Sequence, residues 1–231
     1  MNLRSTLIAG ALLAVSAVTA FPVQASPTAA ALEPRSLQHA QTIRAKLDAR
    51  YRVLPGRGLV VTEATSTGVV ESFGLLTPDL LDARVLPADK GIWYAICAVR
   101  ATCPYPVRRF ARPAADLVPR RLALELALHT FLETSADVVA VSLPTPRFIA
   151  FVVARQELAR EVDMPTLAKA LGGDPSRALP PSLAQVVDRV TRSRVFLAMG
   201  LEPTLSGRDS WVGVPRWSTV TSRAGSPVMH R

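Results

Sequence analysis

The sequence predicts an α+β fold, a largely antiparallel sheet built from hairpins and covered by one long amphipathic helix at about 114–134. Three observations carry this expectation. Short apolar and β-branched runs come in pairs split by turn residues, as in DVVAVSL, Pro144-Thr145-Pro146, FIAFVV. One segment repeats apolar residues at helical spacing over several turns, on Leu117, Leu124, Leu128 and Phe131. Finally, the strands do not alternate singly with helices, as a doubly wound parallel sheet requires.

The elements follow in chain order. Residues 35–51 carry an apolar stripe on Leu37, Ala40, Ile43 and Leu47, with Arg44 and Asp48 paired four apart on the wet side, and Pro55-Gly56 ends this helix. Residues 58–65 (GLVVTEAT) and 69–76 read as two strands joined by Ser66, Thr67 and Gly68, a hairpin. Thr77-Pro78-Asp79 has the cap-then-proline form of a helix start, predicting one short turn to about Arg84. Residues 92–99 form a third strand with Trp93, Tyr94 and Cys97, and the following CPYPVRRFARP is too rich in proline for regular structure. After the long helix come the strands 137–143 and 148–153, short helices at 156–162, 165–171 and 181–191, and a last strand at 195–199.

This divides the chain into four parts. Residues 1–25 read as an export signal: Arg4 leads an apolar run over 7–20, Pro22 breaks it, and Val23-Gln24-Ala25 offers small residues for cleavage after Ala25. That run is shorter than the ~20 residues a bilayer span needs, and no later segment is longer, so no transmembrane segment is expected in the mature chain. Residues 26–34 are a small-residue linker, 35–202 a single α+β domain, and 203–231 a largely irregular tail.

Hydrophobic residues make up 49% of the chain, enough for a sizeable core. The formal charge of +9 is carried almost wholly by arginine, a bias that GC-rich codon usage produces and that also suits anions, because the guanidinium fork matches carboxylates and phosphates. Such a charge implies attraction to acidic partners, here an acidic envelope polymer or a protein. Nucleic acid is not expected of an exported chain without a basic motif interleaved with stacking aromatics. The two cysteines, Cys97 and Cys103, have five residues between them, a spacing that closes a disulfide loop outside the cytoplasm. No cofactor motif and no metal site are expected: zinc would need further ligands, and the only histidines are His39, His129 and His230.

Three constellations are candidates for a site. Glu125, His129 and Glu133 follow at intervals of four along the long helix, a carboxylate–imidazole–carboxylate line that suits a general base, or equally the polar edge of an amphipathic helix. Arg108, Arg109, Arg112, Arg120 and Arg121 gather around the proline-rich connection and the helix start, where they would hold an anion or simply face water. Trp93, Tyr94 and Tyr105 flank the expected disulfide and would make a stacking or contact patch, or divide between core and surface as alternate strand residues do. The sequence has neither a G-x-S-x-G elbow nor an S-x-x-K motif. The function expected is therefore an exported, non-catalytic protein that binds an envelope component, another protein or a small anionic ligand. The alternative is an exported hydrolase using His129 with Glu125 or Glu133.

Overall fold

The computed structural model describes residues 32–56, 58–68, 70–76, 83–99, 117–144, 149–203 and 209–215. The elements are α1 (Pro34–Arg52), β1 (Leu59–Ser66), β2 (Val70–Leu76), β3 (Ala83–Pro87), β4 (Gly91–Ala98), α2 (Leu117–Glu133), β5 (Val138–Ser142), β6 (Ile149–Ala154), α3 (Arg155–Glu161), α4 (Met164–Leu171), α5 (Pro181–Arg192), β7 (Val195–Pro203) and β8 (Asp209–Pro215). The fold is α+β. The eight strands among the described residues belong to one sheet in the order β1-β4-β5-β6-β7-β8-β2-β3, and of their ladders only β4–β5 and β2–β8 are parallel.

The expected hairpin of 58–65 with 69–76 does not form. β1 pairs with β4, while β2 pairs with β3 and β8. Thr67 and Gly68 bend the chain instead of reversing it, so β1 and β2 are successive halves of one ribbon. β3 and β4 are the halves of a second, bent at Ala88–Lys90. Ser66 faces Ile92 below the bend and Ser72 faces Pro87 above it, so one long bent hairpin holds all four strands. The bend has its own chemistry. The buried Thr67 hydroxyl donates to the Ala88 carbonyl at 2.5 Å, and the Thr67 amide donates to Gly91 O at 3.0 Å. A Cβ on Gly91 would lie 2.0 Å from Thr67 Oγ1, so only glycine fits opposite that threonine. A serine–threonine–glycine triplet suits a bend as well as a reversal.

Ribbon continuity closes the sheet on itself. From the β3–β4 ribbon the ladders run through β5, β6, β7 and β8 to β2, and the β1–β2 ribbon pairs with β3–β4 again. The sheet thus has an outer face and an inner one, and strand alternation sorts residues between them. Outward, Ile92, Tyr94 and Ile96 of β4, Val139 and Val141 of β5, and Ile149, Phe151 and Val153 of β6 pack in one core with α1, α2, α4 and α5. Inward, Val138 and Ala140, Ala150 and Val152, Phe73, Leu75, Phe196 and Trp211 fill a second core. The rings of Phe73, Trp93 and Trp211 meet there at 5.8–6.2 Å between centroids. A strand buried on both faces reads as a continuous apolar run, which is how FIAFVV and DVVAVSL look.

Two further expectations change. A helix was expected from Thr77 to about Arg84; residues 77–82 lie outside the described residues, and Ala83 and Arg84 belong to β3. The irregular tail was expected from 203, yet Asp209–Pro215 form β8 between β7 and β2. Trp211 anchors it, and a Cβ on Gly213 would fall 2.4 Å from that indole, which explains a glycine in a strand. Among the described residues no helix is long and apolar enough to cross a membrane.

Candidate functional site

A cavity of about 470 Å³ opens where β3, the start of β5 and the end of β6 meet α3. Its floor is apolar and continuous with the inner core: Leu86, Val138 and Ala154. Its walls carry ionisable groups, Asp89 and Lys90 from the bend, Asp137 ahead of β5, and Arg155, Glu157 and Arg160 from α3. The volume falls within the range of small-molecule sites, which join an apolar lining to a few polar groups.

These charges are not equally available. The Arg155 guanidinium reaches back to the C-terminal end of α2, donating to the carbonyls of Phe131, of Thr134 at 2.7 Å and of Ala136 at 2.6 Å. The Phe131 carbonyl is one that a helix end leaves without a partner, and the other two lie in the segment that follows it. Its burial there holds its pKa below the usual arginine value, with Asp137 at 3.9 Å acting in the opposite sense. Arg155 is therefore a fixed part of the wall. Arg84 of β3 spans to Glu157 of α3 at 2.7 Å and ties the two sides together. The other Glu157 oxygen, Oε2, is buried with no hydrogen-bond partner among the described residues. Lys90 and Arg160 form no ion pair among the described residues and stand at the cavity as open cations.

The expected site residues are dispersed. Glu125 turns into the core, where its Oε1 accepts from Tyr51 Oη at 2.7 Å and Arg121 Nε at 3.0 Å, and its Oε2 from Arg50 Nη1 at 2.8 Å. His129 remains near the surface with Glu133, Nδ1 to Oε1 at 3.0 Å. Only His129 and Glu133 of that line are brought together, and neither lines the cavity. Arg120 and Arg121 are buried, the first paired with Asp188, the second also donating to Leu171 O at 2.7 Å and Gly173 O at 3.1 Å. Neither presents a surface to a ligand. Arg108, Arg109, Arg112, Tyr105 and Cys103 lie outside the described residues.

Trp93 and Tyr94 point to opposite faces of β4. Trp93 lies in the inner core with its indole N–H on Ser142 Oγ at 2.9 Å, and Tyr94 is buried under α2 with its hydroxyl 2.7 Å from Thr130 Oγ1. They therefore make no common patch. Cys97 sits half-buried at the end of β4. Among the described residues no cluster of three His, Cys, Asp or Glu side chains is placed to hold a metal.

Sequence reasoning missed the cavity residues because they come from three separated segments, each ordinary by itself. Asp89-Lys90-Gly91 looks like any turn, and Arg155, Glu157 and Arg160 look like the wet face of a short helix. Only the bend of the long hairpin brings them together. No protein-family model, no curated protein and no solved structure matches the chain.

Proposed function

We propose that this is an exported, non-catalytic binding protein that takes a small anionic ligand with an apolar body in the cavity between β3 and α3. The observation that carries the reading is the placement of Lys90 and Arg160, cations without an acid partner among the described residues, above a floor of Leu86, Val138 and Ala154. A carboxylate held by such groups gains charge-assisted hydrogen bonds while its apolar part leaves water. The reading of residues 1–25 as an export signal supports a place in the cell envelope or outside the cell, where Cys97 and Cys103 would oxidise to a disulfide. Cys97 lies one residue from the end of β4, and Cys103 follows six positions on in the sequence.

Calorimetric titration with decanoate, beside the uncharged decanol, tests the reading. Decanoate is expected to bind with an affinity that falls as salt rises, decanol at least about tenfold more weakly, the worth of one charge-assisted bond. Lys90→Gln and Arg160→Gln should each cost decanoate a similar factor. Equal binding of the two probes, or none of either, overturns the proposal.

A further inference from the structure

We infer that the natural occupant of this cavity is an extended peptide that adds as a strand to the open edge of β3 and places its C-terminal carboxylate at Lys90 and Arg160. The inference rests on the anion-binding reading above and adds a backbone component to it.

Among the described residues β3 pairs with β2 on one side and with no strand on the other. Its other side is where the ring is incomplete. The β4–β5 ladder begins at Gly91 opposite Val138, so the half of the ribbon beyond the bend has no β5 to pair with. α3 stands across that gap, held by the Arg84–Glu157 ion pair, and the cavity lies between them. A strand laid along β3 would take the place that a longer β5 would have filled.

The phase of the ladder says which groups are offered. The Ala88 amide donates to Glu71 O at 2.9 Å, and Leu86 faces Phe73 in the same register. Antiparallel pairs alternate, so Leu86 and Arg84 turn their backbone groups to β2, and Val85 and Pro87 turn theirs to the open edge. Pro87 agrees, since a proline is admitted to a sheet where its missing N–H faces away from the ladder. The edge thus presents the Val85 N–H and the carbonyls of Val85 and Pro87. The Val85 side chain is 59% exposed and takes no part in the core.

Strand addition of this kind draws affinity from main-chain bonds and specificity from alternate side chains. Lys90 follows the C-terminal end of β3, so a carboxylate bound there requires a peptide running parallel to β3. Inward-pointing residues of that peptide meet Leu86, Val138 and Ala154, which selects apolar side chains near its end.

The test uses a short peptide with apolar terminal residues, its C-terminal amide, a set of N-methylated versions of it, and decanoate. The free-acid peptide is expected to bind, and the amide at least about tenfold more weakly. N-methylation at alternate positions should abolish binding while the intervening positions tolerate it. Val85→Pro removes an edge donor at a site whose N–H the sheet does not use; it should cost the peptide about tenfold and leave decanoate unchanged. The N-methyl set leaves the protein untouched, so it decides the matter even should the proline variant misfold. Decanoate binding without peptide binding, or peptide binding indifferent to N-methylation, overturns the peptide and leaves the anion site standing; loss of both sinks the two together. A dimer dissolved by Val85→Pro would assign the edge to a second copy and also overturn the peptide.

Discussion

Tyr51 donates its hydroxyl to Glu125 across 2.7 Å, and both side chains are wholly buried. Around this contact α1, α2 and α4 are tied. Arg50 and Arg121 complete the Glu125 carboxylate and then reach on to Leu171 O and Gly173 O, where α4 ends. The acidic residue closest in sequence to a catalytic arrangement is in fact the counter-ion of two arginines.

Glu125→Gln leaves Arg121 buried without its charge partner and should destabilise the protein by about 3 kcal/mol, the cost of breaking a buried pair from one side. Tyr51→Phe removes one hydrogen bond to a charged group and should cost less, about 1.5–3 kcal/mol. Urea denaturation reads both as shifts of the midpoint at constant slope. A Glu125→Gln midpoint equal to wild type would show that the network contributes nothing.

Alkaline stability should fall for a reason visible in the same core. Burial is the main cause that pushes the Tyr51 phenol above its ordinary value, with Glu125 adding to it; burial does the same for Tyr94. A raised folded value means stability that is complete below about pH 10, where unfolded tyrosine titrates, and that is lost as pH rises further. Phenolate absorbance should therefore show Tyr51 and Tyr94 titrating only with unfolding. All three tyrosines of the chain ionising near their ordinary value while circular dichroism stays native would contradict this.

The bend of the long hairpin predicts a coupled pair. Gly91→Ala forces a Cβ to 2.0 Å from Thr67 Oγ1 and should cost roughly 1–3 kcal/mol, as overpacking does. In the Thr67→Ala background that oxygen is gone, so the same change should cost clearly less, a coupling that a double-mutant cycle measures. Additive effects would mean the bend is not built on this contact.

These residues also show what the sequence discloses and what it withholds. Period-two apolar runs and the 3.6-residue repeat of α2 are local signals, and they locate β4, β5, β6 and every helix among the described residues to within a few positions. Pairing is not local. Whether Thr67 bends or reverses the chain depends on Ala88 and Gly91, more than 20 residues on. That single choice moves β2 from beside β1 to beside β8, and it creates the gap next to β3. The same holds for charge. Arg121 and Glu125 read as an ordinary surface pair four apart, but α2 is buried all round from Arg120 to Leu128, so the pair is internal. The cavity is legible only after both points are known.

Amide chemical-shift mapping of the labelled protein during titration with the free-acid peptide tests the binding site most directly. Shifts confined to residues 84–90 and 154–160, with the Val85 amide moving downfield as it gains an acceptor, are the predicted result. Shifts centred on His129 and Glu133, or a Val85 amide that does not respond while the peptide binds, would contradict it.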